Sequence, residues 1–315
     1  MKKKGYFLFL IFVAIFLVSG QTCDRSKEKG EGGFLGGKEG LVIDFVDDAP
    51  PLSGIFKGEE FPIDVEIINK GEADIGENSV TLYLTGALYS SNSITTSNED
   101  KQTGNDAFIA GVEESEGKRV EDSLVVPFGT VTYNGEILGD SVPLEVGVSV
   151  CYPYETKVQI DDFCVPSTAR TVTGTDDCEI ITTENIVREK ENSGAPVQIT
   201  SLREQEGPNF VRVTLDINNV GTGDVVATGV CKRGLERSDL NQVQVTMPTN
   251  FKCSFRDAET ETNQGVVDLR GGHGVLRCKR DVSNSGSAFK ESIAVTLNYN
   301  YLQEISKAVT VNKGA

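Results

Sequence analysis

The segment Ile63-Asp64-Val65-Glu66-Ile67-Ile68-Asn69-Lys70-Gly71, with Asp74-Ile75 after it, recurs 150 positions later as Val213-Thr214-Leu215-Asp216-Ile217-Asn218-Asn219-Val220-Gly221, with Asp224-Val225 after it. Val148-Ser149-Val150-Cys151-Tyr152-Pro153-Tyr154 recurs 147 positions on as Val295-Thr296-Leu297-Asn298-Tyr299-Asn300-Tyr301. Two matches at nearly the same offset mean two diverged copies of one unit. Apolar and polar residues alternate at period two in both copies, which is the pattern of a strand with one buried face. Outside the N-terminus no apolar stripe runs at helical spacing, so helix should be scarce. The 315 residues suit about two domains of roughly 100–200 residues each.

The short alternating segments predict an all-β chain of two β-sandwiches, 41–166 and 196–315, joined by a connection at 167–195. Strands are expected in the first copy at 41–46, 61–67, 79–84, 124–133, 145–154 and 157–165. In the second they are expected at 197–202, 210–217, 242–247, 251–255, 265–269, 275–279, 292–301 and 305–311. Asn69-Lys70-Gly71 and Asn219-Val220-Gly221 read as one shared turn, because Asn tolerates the left-handed region and Gly takes positive φ without steric cost. Ser90 to Glu121 is polar and acidic, without an evident counterpart in the second copy, and is expected to be a surface excursion and the contact surface for a partner.

Lys2, Lys3 and Lys4 precede an uninterrupted apolar run from Tyr6 to Val18. Thirteen residues reach about 20 Å as a helix, short of a hydrocarbon core of roughly 30 Å, so the pattern is that of a signal peptide over 1–20. Small residues at Val18 and Gly20 place the mature N-terminus at Gln21. Cys23 is a candidate for lipidation, although Thr22 stands where a lipobox has a smaller residue, and Lys4-Gly5 offers a pilin-type alternative. Residues 21–40, rich in Gly and charge, read as a flexible stalk. Gly32 to Lys38 has the spacing of a phosphate-binding loop, but Glu39 replaces the Ser or Thr such a loop requires. With 30 Lys and Arg against 47 Asp and Glu, the net charge of -17 opposes both nucleic acid and an anionic lipid surface. Any membrane attachment is therefore expected only through the N-terminus.

An export signal with seven cysteines points to an oxidising compartment and to disulfides. Cys151 with Cys164, and Cys253 with Cys278, flank candidate hairpins, which leaves Cys178 for Cys231. His273 lies in Arg270-Gly271-Gly272-His273-Gly274 and is the single histidine, so any Ser-His-Asp triad needs it; the flanking glycines mark a tight turn instead. Ser287-Ala288-Phe289-Lys290 has Ser-x-x-Lys spacing without the companion motifs. Tyr152 with Tyr154, and Tyr299 with Tyr301, each share one face of a strand and are expected to be structural. Acidic clusters at Asp44, Asp47 and Asp48, at Glu113, Glu114 and Glu116, at Asp161 and Asp162, and at Asp176 and Asp177 supply oxygen ligands of the kind calcium takes, but none has EF-hand spacing. No catalytic, metal or cofactor-binding residue is assigned, and no cofactor is expected.

The apolar strand from Leu41, the alternating strand ending in Asn-x-Gly and the late paired strands resemble CARDB-like and related immunoglobulin-like domains of prokaryotic surface proteins. Gly40-Leu41 through Ala49-Pro50-Pro51, Cys151-Tyr152-Pro153-Tyr154 and Gly194-Ala195-Pro196-Val197 are similar to a group of exported archaeal proteins. The resemblance implies two tandem immunoglobulin-like sandwiches and an extracellular or cell-surface protein, membrane-anchored or free. Such a protein would be a non-catalytic structural, adhesive or partner-binding subunit of an envelope assembly, with an envelope protein or glycan as partner. A secreted hydrolase using acidic residues and a pilin-like filament subunit are the other two readings.

Overall fold

The structure is a computed structural model that describes residues 33–86, 94–96, 100–102, 107–166, 178–183, 185–282 and 288–314. The expected signal at 1–20, Cys23, and the acids Asp176 and Asp177 lie outside these residues, as do Ser287 and the stalk up to Gly32. The first copy contributes β1 (Leu41–Phe45), β2 (Ile55–Phe56), β3 (Glu60–Asn69), β4 (Thr81–Gly86), β5 (Ile94–Thr96), β6 (Asp100–Gln102), β7 (Glu113–Ser115), β8 (Lys118–Val120), β9 (Asp122–Tyr133) and β10 (Ser141–Val165). The second contributes β11 (Asn185–Ile186), β12 (Val197–Glu206), β13 (Phe210–Asn219), β14 (Asp224–Val226), β15 (Gln242–Thr246), β16 (Phe251–Cys253), β17 (Gln264–Asp268), β18 (His273–Asp281) and β19 (Phe289–Asn312). Apart from two single-turn 3-10 segments, every regular element among the described residues is a strand, so the all-β sandwich class holds.

Each copy has its own outer sheet, β1-β3-β9-β5 in the first and β11-β12-β13-β18-β16 in the second. Between them runs a shared sheet in the order β17-β15-β19-β10-β4-β6. Its middle is a ribbon in which β10 and β19 pair antiparallel along nearly their whole length, from Ser141 opposite Asn312 to Val165 opposite Phe289. Pro153 faces Asn300 in this register, and these residues are also equivalent in the repeat, since they are 147 positions apart. A pseudo-two-fold axis therefore passes through that pair. The sheet order reads symmetrically about it, with β4 corresponding to β15 and β6 to β17.

The continuity of β10 and β19 departs from the expectation of two shorter strands in each. The breaks expected near 155–156 and 302–304 coincide with Glu155-Thr156 and Leu302-Gln303-Glu304, none of which has the turn chemistry of Gly, Pro, Asn or Asp. Both strands run straight through, and each copy consequently lends half a strand to the other. Val309 and Val311 of β19 are buried, and Val311 pairs with Ile55 of the first copy. Phe163 of β10 stacks on Phe251 of the second copy with ring centroids 5.6 Å apart. Residues Glu31–Ala315 form one compact unit, and the buried side chains of both copies form one contiguous cluster. The cores of the two sandwiches are thus continuous, not separate.

The same continuity corrects two disulfides. Cys151 and Cys164 lie on one extended strand, and 13 residues at about 3.3 Å each hold them far beyond the roughly 7 Å a bridge allows. Cys151 bonds instead to Cys231 and Cys164 to Cys178, with Cα separations of 5.7 and 5.5 Å. The expected Cys253–Cys278 bridge is present, between directly opposed residues of β16 and β18.

Two loop expectations also change. The segment 33–40 is docked rather than extended as a stalk: Gly36 and Gly40 are buried, and Gly40 accepts from the Lys70 N–H. Ser90 to Glu121 is not purely a surface excursion. Its described parts add β5 to one sheet and β6 to the other, and Ile109 is fully buried and bridges to Ile75. The β7–β8 hairpin strands are exposed throughout.

Candidate functional site

Four tyrosines surround the pseudo-two-fold axis. Tyr152, Tyr154, Tyr299 and Tyr301 project from the same face of the ribbon and are all buried. Their rings close a circuit with centroid separations of 5.9, 6.0, 6.3 and 6.3 Å, mostly edge to face. Such pairs contribute about 0.5–1.5 kcal/mol each beyond the area they bury. Burial raises the hydroxyl pKa of all four, which leaves each one a protonated hydrogen-bond donor.

Those hydroxyls bind the repeated Asn-x-Gly segments. Tyr154 donates to Asn69 Oδ1 at 3.4 Å or to the Gly194 carbonyl at 3.3 Å, and Tyr301 donates to Asn219 Oδ1 at 3.1 Å. Each Asn Oδ1 also accepts the N–H of its own copy's glycine, Gly71 or Gly221, at 3.2 Å. Each Asn Nδ2 donates four residues onward, to Ala73 O or Gly223 O, at 2.8 Å. The other tyrosine of each copy receives the N–H at the start of an outer strand, Leu41 N for Tyr152 at 3.2 Å and Val197 N for Tyr299 at 3.3 Å. Thr156 donates to Val197 O at 2.7 Å, so the 3.0 Å contact between its hydroxyl and Tyr299 is donated by the tyrosine.

This geometry gives the glycines a different reason from the expected one. Neither Gly71 nor Gly221 has positive φ. A Cβ on Gly71 would instead collide with the Tyr154 hydroxyl and the carbonyl oxygens of Gly194 and Glu39, and one on Gly221 with the Tyr301 hydroxyl and Pro196. The requirement is space for a tyrosine supplied by a strand some 80 residues away in sequence.

Glu72 ties three chain segments together at the joint. Its carboxylate accepts from Leu35 N at 2.9 Å, Gly36 N at 3.0 Å and Gly194 N at 2.6 Å. Arg119 of the β7–β8 hairpin donates to Leu35 O at 3.1 Å over the same segment. On the other face of the ribbon, the loop after β14 reaches from the second copy to the first through the Cys151–Cys231 bridge and an Arg233 Nη1 bond to Leu84 O at 2.8 Å. A cleft of about 420 Å³ beside the joint is lined in part by Lys38, Glu39, Thr222, Gln303 and Glu304.

Among the described residues the remaining candidates do not assemble into a reaction centre. His273 closes a tight turn whose Gly271 and Gly272 have φ of 64° and 80°, and its Nε2 lies 3.1 Å from Asp216 Oδ1. Ser201 donates to the other oxygen of Asp216 at 2.5 Å. The carboxylate is therefore central and the histidine cannot take the serine proton, which is the reverse of a Ser-His-Asp triad. Lys290 pairs with Asp162 at 2.7 Å, and this bond lowers the Asp162 pKa. No group of three His, Cys, Asp or Glu stands together as a metal site among the described residues.

Glu204 gave no signal in the sequence, where it is one acid in a strand. It is 1% exposed and accepts from Cys164 N and Ile181 N, both at 3.2 Å, pinning the connection next to the Cys164–Cys178 bridge. Burial outweighs these two bonds and raises its pKa from 4.5 to about 7. The folded chain therefore holds this proton more tightly than the unfolded chain. The stabilisation is complete below about pH 4.5 and is lost as pH rises through about 7. Thermal melts should shift upward as pH falls from about 8 to about 5, by on the order of 2–3 kcal/mol of stability, and Glu204→Gln should flatten that slope. An unchanged slope in the variant would remove Glu204 as its source.

No protein-family model matches the chain. No curated protein matches it either. Among solved structures it is similar to the secreted serine protease VesC from Vibrio cholerae, at 11% identity and a TM-score of 0.18 over 82% of this chain and 50% of that one. The C-terminal globular domain of an oligosaccharyltransferase from Pyrococcus abyssi matches at 11% identity and a TM-score of 0.22 over 87% and 50%. The partial N-terminal region of the Enterococcal surface protein matches at 9% identity and a TM-score of 0.18 over 85% of each chain. The chain spans about half the length of the first two. Likenesses at these TM-scores carry no argument, and the architecture rests on the strand pairing itself.

Proposed function

We propose that this protein is an exported, non-catalytic structural or partner-binding subunit of an envelope assembly, held outside the cytoplasm. The observation that supports this best is the disulfide set. All six cysteines of the compact unit are paired, and one bridge crosses the joint between the copies. Stable bridges of this kind suit an oxidising compartment. The side chains that carry chemistry elsewhere are used here for cohesion: the tyrosine hydroxyls hold turns, Glu204 and Glu72 hold backbone N–H groups, and His273 meets a carboxylate already bonded to Ser201. The partner remains an envelope protein or glycan in this reading, and attachment is through the N-terminus, by a retained signal or a lipid on Cys23.

Surface labelling of intact cells with an antibody should mark the protein, and non-reducing peptide mapping of native material should recover all three bridges. The purified protein should leave glycan and peptide panels uncleaved. Reduced cysteines in a cytoplasmic fraction would overturn the placement. Turnover that is lost in Glu204→Gln or His273→Ala would establish the hydrolase reading in its stead.

A further inference from the structure

The two copies share a fold but not a charge. Residues 41–166 carry 24 Asp and Glu against 6 Lys and Arg, while residues 196–315 carry 13 against 14. Part of that difference lies on two sheet faces that the repeat makes equivalent. Strands β1, β3 and β9 contain no Lys or Arg, and their outward positions include Asp44 opposite Glu66, with Asp64 and Glu60 further along β3. None of these four carboxylates has an ion pair among the described residues. Exposed Val125 sits across from Glu66 and adds apolar area to the face.

The matching face of the second copy is basic. Arg203, Thr214 and Arg277 form one row across β12, β13 and β18, and Arg212, Lys279 and Lys252 form the next row across β13, β18 and β16. Arg203, Arg277 and Lys252 are exposed and pair with no carboxylate among the described residues. Arg212 and Lys279 both lie over the Phe210 ring, at 5.7 and 5.8 Å. Thr182 and Gln205 border a shallow cleft in front of the three arginines. Lys279 also pairs with Glu261 at 2.7 Å, and Asp216 stands at the repeat position of Glu66, yet in a chain of net charge -17 this predominantly basic face is a local inversion of the whole-molecule field.

We infer that the basic outer face of the second copy docks on the acidic outer face of the first copy of another molecule, so that the chain self-associates through unlike faces. The occupant is a second copy because the complementary surface is present on the same chain, at the position related by the repeat and built on the same strands. Opposed charges over equivalent, similarly shaped sheet faces favour that contact, and like charges oppose pairing of either face with its own kind. The contact does not depend on where the protein resides in the cell.

Sedimentation velocity of the native protein tests this. At about 20 mM salt it should self-associate at micromolar concentration, and at about 500 mM salt the dissociation constant should rise at least about tenfold, because salt shortens the Debye length to a few ångströms. Arg203→Glu with Arg277→Glu puts two carboxylates in the middle of the basic face, and Asp64→Lys with Glu66→Lys puts two ammonium groups in the middle of the acidic face, so each variant keeps one native face and loses the complementarity of the other. Each variant alone should be monomeric with a melting temperature close to the native value, and an equimolar mixture of the two should associate again. Several outcomes overturn the inference: a native protein that stays monomeric at about 20 mM salt, association that survives in either variant, or a mixture that fails to associate while both variants melt as the native protein does. A monomer whose basic face instead captures dextran sulfate, with capture lost in the arginine variant, would assign that face to an anionic polymer and equally overturn it.

Discussion

Gly71→Ala should destabilise the folded unit by about 3 kcal/mol, at the upper end of the usual overpacking range. Two of the three atoms a Cβ would strike are backbone carbonyl oxygens, of Gly194 and Glu39, and cannot rotate aside. The third, the Tyr154 hydroxyl, is held by its bond to Asn69 or Gly194. For a unit of this size the melting temperature should fall by about 5–10 °C. Tyr154→Phe in the same background relieves only the hydroxyl contact, so a double-mutant cycle should show favourable coupling without full rescue. Lys70→Ala, between the same turn residues but facing outward, should change little. A melting temperature unmoved by Gly71→Ala would mean that the turn does not pack against the tyrosine.

Removing the Cys151–Cys231 bridge with a double alanine replacement should cost more than removing either of the others. The bridged residues are 80 apart in sequence, against 25 for Cys253–Cys278 and 14 for Cys164–Cys178. The loop-entropy relation then gives about 4.5, 3.5 and 3 kcal/mol in that order. The first loss also releases the loop that carries Arg233 to Leu84 O and covers Asn300, whose Nδ2 donates to Cys231 Sγ at 3.3 Å. Thermal melts of the three double variants check the ranking. If the Cys151–Cys231 variant proves the least affected, the loop is not a clamp across the joint.

The parts of this fold that were legible in the sequence are those where local pattern and tertiary use coincide. Alternation in Ile63 to Ile67 and Val213 to Ile217 predicts strands with one buried face, and those alternate residues are buried. Cys253 and Cys278 sit near in sequence on paired strands, so the pairing is reached by proximity, although the two strands are no hairpin, because β17 leaves for the shared sheet between them. Exchange between the copies was not legible, because it depends on an absence: Glu155-Thr156 contains no turn residue, and only the reach of β10 across β19 shows that the strand continues. The two disulfide errors follow from that one break. The Asn-x-Gly repeat was visible, but its cause was not, since the space that excludes a Cβ is filled by a tyrosine from another strand. Glu204 looks like any strand acid until the connection closes over it. The opposite charges of the two outer faces could have been counted from the sequence, but the count gains meaning only when the repeat is placed on a pseudo-two-fold axis.

The central claim is that the two copies form one folded unit around the tyrosine joint, each completing the other with half a strand. Differential scanning calorimetry of the native, oxidised protein tests it most directly, with the van't Hoff enthalpy compared to the calorimetric enthalpy of the main transition. The account predicts a single transition in which the two enthalpies agree, displaced as a whole by Gly71→Ala in the first copy and by Gly221→Ala in the second. Two separable transitions, with each glycine substitution moving only the one that belongs to its own copy, would contradict it.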